Sequence, residues 1–500
     1  MVLDGKRETG RNWPNVLGAK LRQCAGLTLL FTLIAAPWNY GSTRHLGVVA
    51  LCWEMSALVV FWLFGYILIS ERNRLPPTLI FSVIFLIVSG WTATFVGTGI
   101  LPDEFVSKHL SELADRWPGS FILKSQVETM WLYSGLLGTL LACADLSVSC
   151  RWRNAFCATV ALTGASIVLL GILQIKTNAS GILWEKNISF PGFFFSTFFH
   201  HTSAGAFINL TWPVAAGLLF KQSIVKRGKR ASLAKTAIYA LVVTTGLCGP
   251  LAQASKFAQI NALFLAAIFG VWFFLKRSQI TTGHIIWISL TVALMAGVIA
   301  SIAAVTGRLP QVVERWQVFN RSLTAPVSLA RPDFRMREDG FIESAPGTTS
   351  GFLGYRGLVA KVCVRMLPQA GLIGFGPGSW SLVYPHFTDD PFLRTFYLHM
   401  QFAHEDYLQT GVEWGMLGAA CWASIVFGGI WRGLKRLRAT LFEKTMPGEA
   451  LLMGVWVALV GVFTHALLDF PLQIPSIQLY SVVLIGILWS VKSSSEQSPR

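Results

Sequence analysis

Apolar residues in this chain gather into repeated blocks of roughly 18 to 23, the length a helix needs to cross a hydrocarbon core of about 30 Å. Polar and basic residues fill the intervals. The blocks predict spans near 24–40, 46–70, 78–98, 129–149, 155–176, 203–220, 236–254, 257–275, 284–306, 411–431, 450–470 and 475–491. Only Ser255 and Lys256 divide the seventh from the eighth. Lys6, Arg7, Arg11, Lys20 and Arg22 precede the first run like the start of a signal sequence. No clean small-x-small cleavage site follows, so an uncleaved first helix is expected.

Charge sets the expected orientation. Arg72/Arg74, Arg151/Arg153, the basic cluster from Lys221 to Lys235, Lys276/Arg277 and the cluster from Arg432 to Lys444 all fall on one side when the N-terminus is inside. The positive-inside rule makes that side the cytoplasm, with both termini there. Three outside segments are long enough to carry function: an acidic one at 100–128, an aromatic-rich one at 177–202 that suits an interfacial or re-entrant path, and 307–410. Within the last, Val312, Val313, Trp316 and Phe319 recur at helical spacing. So do Leu358, Val359, Val362, Cys363 and Met366, with Pro368 expected to end that helix. Gly374-Phe375-Gly376-Pro377-Gly378 reads as a forced turn, and Tyr397 to Gly411 as a helix continuing into the tenth span.

Composition supports a bilayer solvent. Hydrophobic residues make up 53% of the chain and charged residues 13%, with a mean hydropathy of +0.54. The net charge of +16 lies where topology demands it, which argues against a nucleic-acid partner. Eight cysteines, without a C-x-x-C pair, suggest structural thiols rather than a disulfide framework or zinc. Glu54, in mid-span, calls for a structural partner. The Asn178 and Asn187 sequons are read as chance.

Soluble-enzyme motifs are absent: no Walker A, H-E-x-x-H, G-x-S-x-G or dinucleotide fingerprint. What stands out is Ala403-His404-Glu405-Asp406-Tyr407-Leu408-Gln409, a histidine within a turn or two of the tenth span. Imidazole is the side chain best poised for proton transfer near neutral pH, although a juxtamembrane histidine is more often a hydrogen-bonded surface group. Arg308, Arg315, Arg321, Arg331, Arg335, Arg337, Arg356, Lys361, Arg365 and Arg394 break the charge bias on the outside and suit an anionic partner such as a diphosphate. Lys256, between two spans, is either snorkelling or functional.

Gly354 to Phe387, the AHEDYLQTGVEWGMLG segment, and His465 to Pro475 (HALLDFPLQIP) together resemble the O-antigen ligase and polymerase superfamily in order and spacing. The likeness is weaker upstream, around Phe199-His200-His201-Thr202-Ser203-Ala204-Gly205. It implies an all-α polytopic membrane protein, GT-C-like, of about twelve transmembrane helices with a large, mainly helical periplasmic loop before the tenth. The parts would be an N-terminal bundle over 1–306, an extracytoplasmic domain over 307–410, C-terminal helices over 411–491 and a cytoplasmic tail over 492–500. The implied activity is a metal-independent, inverting glycosyltransferase of the bacterial inner membrane. It moves a glycan from an undecaprenyl-diphosphate carrier to an acceptor hydroxyl at the periplasmic face, as in lipopolysaccharide and other cell-envelope polysaccharide biosynthesis. Expected partners are that donor, a lipid, polysaccharide or protein acceptor, and the bilayer, with no nucleotide or metal cofactor. Carried over, His404 is the general base, and Arg356 and Lys256 hold the donor diphosphate, with Glu405, Tyr407, Arg365, His201 and Asp469 as supporting candidates. Two positions depart from the family pattern: Lys256 stands where an arginine is usual, and Glu405 where an asparagine is.

A polymerase of lipid-linked repeat units would use the same residues with another acceptor. A flippase of lipid-linked glycans would instead require paired mid-span polar residues and symmetric halves, which the sequence does not show.

Overall fold

The computed structural model describes residues 13–70, 72–96, 121–185, 194–224, 233–252, 255–276, 317, 334–336, 342–344, 354–388, 401–441 and 447–491. Its helices are α1 (Trp13–Trp38), α2 (His45–Leu68), α3 (Pro77–Val96), α4 (Phe121–Leu146), α5 (Cys150–Lys176), α6 (His201–Ile224), α7 (Leu233–Ala252), α8 (Lys256–Lys276), α9 (Gly354–Ala370), α10 (Asp406–Ala439), α11 (Pro447–His465) and α12 (Pro475–Trp489), besides a single turn at Trp380–Val383. Nine helices among the described residues are long and apolar enough to cross a membrane, and α12 is a shorter apolar helix. The protein is an all-α polytopic membrane protein. The expected span at 284–306, the 312–319 helix apart from residue 317, and most of 100–128 lie outside the described residues.

Each helix divides its surface by period. In α2, Leu51, Met55, Leu58, Trp62 and Gly65 are buried, whereas Trp53, Val60, Phe64 and Ile67 are exposed apolar residues on other faces. Exposed apolar stripes on a helix of this length are lipid-facing surface, and the buried stripe is the helix–helix seam. Because lipid is as apolar as leucine, association depends on close packing rather than on burial from water. Gly217 of α6 and Gly454 of α11 show how close: a Cβ on Gly217 would lie 2.7 Å from Ala450 O and 3.1 Å from Gly454 Cα.

Polar locks act at the end of the bundle away from the 465–475 turn. Asp145, fully buried at the foot of α4, accepts from Arg22 Nη2 at 2.6 Å, Trp62 Nε1 at 3.0 Å and Asn73 Nδ2 at 3.1 Å. Arg22 explains how α1 extends N-terminal to residue 24: its basic turn is held inside the bundle by a buried carboxylate. At the same end Lys276 donates to Thr440 O at 2.5 Å and lies 3.7 Å from Glu449, joining α8, α10 and α11. All eight cysteines are free.

Three further readings change. Pro368 lies inside α9, which runs to Ala370 and ends at Gly371 with φ +57°; the proline removes the hydrogen bond that position 368 would donate to Val364 O, and the helix ends within a turn of it. α10 begins at Asp406, because residues 401–405 are not helical. Strands Phe334–Met336 and Ile342–Ser344 pair antiparallel within a segment expected to be mainly helical.

The forced turn is confirmed and has a docking role. Gly374, Gly376 and Gly378 all have positive φ (+85°, +101° and +75°). Opposite them α10 is broken at Gly415, where φ is +64° and ψ −175°. The break frees backbone groups that the turn satisfies: Phe375 N donates to Val412 O, Gly376 N to Glu413 O, Met416 N to Gly371 O and Leu417 N to Leu372 O. A Cβ on Gly374 would lie 2.3 Å from Glu413 O, and one on Gly415 2.4 Å from Gly374 N. Gly415→Ala should therefore cost about 1–3 kcal/mol through strain and loss of this joint. It should lower the apparent melting temperature in detergent, whereas Gly448→Ala, where a Cβ meets nothing within 4 Å, should leave it unchanged.

Candidate active site

The 401–409 segment is pinned residue by residue. Glu405 caps α10 by accepting from Leu408 N at 2.5 Å. Asp406, almost fully buried, accepts from Leu472 N at 2.8 Å and Gln473 Nε2 at 2.9 Å, and its own N–H donates to Ala466 O at 3.2 Å. Tyr407 OH donates to Phe463 O at 2.8 Å. Gln409 accepts from Ala403 N at 2.9 Å and donates to Glu413 at 3.1 Å. These bonds clamp the segment to the 466–473 turn, so Glu405, Asp406, Tyr407 and Gln409 have structural duties.

His404 is different. It holds a left-handed backbone, φ +54°, a conformation that is uncommon outside glycine and that surrounding structure must impose. The bonds of Ala403 and Asp406 on either side impose it. Its Nδ1 lies 3.4 Å from Asp469 Oδ1, and its ring meets Phe470 edge-on at 4.6 Å. Arg356, at the start of α9, donates from Nη1 to Leu468 O at 2.7 Å and from Nη2 to Asp469 Oδ2 at 3.4 Å. One carboxylate thus receives the imidazole on one oxygen and the guanidinium on the other. Asp469 is 5% exposed, His404 14% and Arg356 30%, so the arginine and the histidine remain accessible above a buried anion.

Electrostatics fix the roles. Burial pushes the Asp469 carboxyl up, but Arg356 and the His404 ring beside it hold it well below the usual carboxylate range. An ionised carboxylate can only accept, so His404 Nδ1 donates to it, which leaves the Nε2 lone pair as the basic position. Burial lowers the His404 ring below its ordinary value against the raising pull of Asp469. The site therefore presents a neutral imidazole oriented by a carboxylate, with a cation alongside.

Arg356, Asp469 and His404 are in direct contact. Lys256 opens α8; its neighbour Phe257 packs edge-on against His465 at 4.9 Å, four residues before Asp469. Arg365 is exposed and sits nine residues along α9 from Arg356, half a turn round the helix and about 13 Å further along it. His201 stacks on His200 at 4.9 Å. Two residues were missed by sequence reasoning. His200 packs against the same Phe470 ring at 6.1 Å, and burial, with His201, drives its ring down to about 3. His465 is fully buried, and neither ring nitrogen has a hydrogen-bond partner among the described residues. Of the His-His pair only His201 was a supporting candidate; no spacing in the sequence joins His200 to residue 470.

An imidazole oriented by a carboxylate and a guanidinium thus meet at one end of a bundle of apolar helices in a membrane protein. Residues 240–423 match the family model described as O-antigen ligase. No curated protein matches. The matched stretch contains Lys256, Arg356 and His404 and stops short of Asp469.

If His404 acts as a base, activity should fall on the acid side as the ring protonates, with a midpoint below the ordinary 6.5 because burial favours the neutral form. Asp469→Asn removes a group that raises the ring, so that midpoint should move further down while the plateau rate drops by roughly 10²-fold or more. A pH–rate profile of wild type and variant checks both signs.

Proposed function

We propose that this protein transfers a glycan from a polyprenyl-diphosphate carrier to an acceptor hydroxyl at the extracytoplasmic face of the bacterial inner membrane, as an O-antigen ligase-like enzyme. The supporting observation is the direct contact of Arg356 and His404 with the single buried carboxylate of Asp469. In the proposed reaction His404 Nε2 takes the proton of the acceptor hydroxyl. The acceptor oxygen attacks the sugar C1, and the C1–O bond to the diphosphate breaks with its electron pair leaving on the phosphate. Attack opposite the leaving group inverts C1.

The leaving group carries its own charge, so the protein's task is to neutralise it and to supply a base. Arg356 suits the first role: its guanidinium has five fork-arranged donors and is fixed in place by Leu468 O. Lys256, one residue from the Phe257–His465 contact, would add a point charge in place of a second fork. Asp469 acts through the other two as a positioning residue. The Glu405 carboxylate, turned onto the start of α10, serves the helix and leaves the orientation of His404 to Asp469. A polymerase would share every one of these groups, and the acceptor alone separates the two activities.

The test supplies full-length protein in lipid nanodiscs with a polyprenyl-diphosphate-linked glycan and separate lipid, glycan and peptide acceptors. His404→Ala should reduce turnover by roughly 10²–10⁴-fold with donor binding retained. Arg356→Ala should weaken donor binding as well, and Arg356→Lys should recover only part of it, lacking the fork. Full turnover by His404→Ala would remove the base assignment, and turnover by wild type with no acceptor would remove the transferase reading.

A further inference from the structure

α9 carries a second surface that the site does not use. Val359, Val362, Cys363 and Met366 pack inward with Trp380 and Val412. On the other side Lys361, Val364, Arg365, Pro368, Gln369 and Leu372 are all exposed, at the spacing of one helix stripe. Ile373 extends that stripe past the helix end. Val364, Leu372 and Ile373 are each more than half exposed. A helix facing water alone has no reason to gather its bare aliphatic side chains on the same stripe as its cations. α9 contains no acidic residue, so the stripe is purely basic and apolar apart from Gln369.

The joint with α10 sets the depth of this stripe. α10 spans Asp406–Ala439, and its basic end starts at Arg432. A hydrocarbon core of about 30 Å takes roughly 20 helical residues, so a count from Arg432 reaches the neighbourhood of Val412. Met416 and Leu417 then fall just inside the site-side edge of the core, and both are exposed apolar residues. Their N–H groups donate to Gly371 O and Leu372 O at 3.1 Å. Leu372 and Ile373 therefore share that depth and continue the lipid-facing surface of α10. Arg356, at the other end of α9, meets Asp469 beside His404, ahead of the start of α10, so α9 climbs out of the core from Leu372 towards Arg356. Arg365 stands seven residues before Leu372, at most about 10 Å along the axis. A headgroup layer about 5–8 Å thick on each side lies within reach of its long side chain.

We propose that α9 is seated on the bilayer and binds there the phosphate of an anionic phospholipid, of the phosphatidylglycerol type. Val364, Leu372 and Ile373 enter the edge of the hydrocarbon beside Met416 and Leu417. Lys361 and Arg365, one turn apart, have their Cβ atoms about 5–6 Å from each other and converge on one phosphate in the headgroup layer, the arginine with two parallel donors. Long basic side chains snorkel to this level while their stems stay among apolar groups. Arg356 points elsewhere, about 140–180° round the helix from the pair and about 7–13 Å along it. A diphosphate held by Lys361 and Arg365 would thus be turned away from the site, so the surface suits a resident bilayer lipid and not the glycan carrier. The seat fixes the height of Arg356 above the hydrocarbon, but it is independent of the transfer reaction and is read from lipid contact alone.

The experiment reconstitutes full-length protein in phosphatidylethanolamine vesicles with a trace of photoreactive phosphatidylglycerol, its diazirine in the acyl chain, and maps the labelled peptides. Labels should fall on Val364–Ile373 as well as around Phe427, an exposed residue of α10 that serves as the internal reference. Relative to that reference, phosphatidylglycerol should label α9 roughly fivefold or more above a chain-matched photoreactive phosphatidylcholine, the size expected for each cation near an anionic lipid. Lys361→Gln combined with Arg365→Gln, both at exposed positions, should bring that ratio to about one while labelling of α9 persists. Absence of label from Val364–Ile373 would overturn the seat. Equal labelling of α9 by the two lipids in wild type, or a ratio unchanged in the double variant, would overturn the phosphate site. Preferential displacement of the α9 label by an unlabelled polyprenyl diphosphate would assign the two cations to the carrier and equally overturn it. If the double variant does not yield monodisperse protein, the wild-type ratio and the competition still decide.

Discussion

A single buried anion organises the functional end of this molecule. Asp469 draws together Arg356 and His404, which lie 113 and 65 residues away in sequence. Removing one member of such a buried charge group typically costs about 3–5 kcal/mol, because the remaining charge is stranded in a poor solvent. The turn that carries Asp469 is held in its own right by Asp406, whose two oxygens accept from Leu472 and Gln473. The carboxylate that orients His404 thus rests on a second carboxylate that positions the turn.

The bundle gives that arrangement a rigid floor. α6 and α11 approach closely enough at Gly217 and Gly454 to exclude a Cβ, which fixes where α11 ends and where the 466–473 turn begins. α10 is broken at Gly415 and mended by the glycine turn at 374–376. That joint ties the foot of α9 to α10, so the helix carrying Arg356 cannot move independently of the one preceded by His404. The polar locks at Asp145 and Lys276 act at the opposite end, leaving the site end to be fixed by backbone bonds and the carboxylate network.

Much of this was legible in the sequence. Block-wise hydrophobicity located nine of the twelve expected spans among the described residues, and the glycine run identified the turn, because both are local consequences of chain chemistry. His404 and Arg356 were picked out by motif. Asp469 was ranked only as a supporting residue, because a carboxylate between two spans reveals nothing about its partners until α9 and the 404 segment are folded over it. Glu405 was a supporting candidate beside His404, and only the folded start of α10 shows that its side chain closes back on Leu408. His200 and His465 were invisible as neighbours of the site, since only tertiary packing through Phe470 and Phe257 brings them there.

The account rests on His404 and Asp469 working as one unit, and a double-mutant cycle on glycan transfer measures that directly. Coupled residues lose little more together than singly. His404→Ala with Asp469→Asn should therefore be no slower than His404→Ala alone, within about twofold. Losses that multiply in the double variant would show two independent contributions, and the carboxylate-oriented base would have to be abandoned.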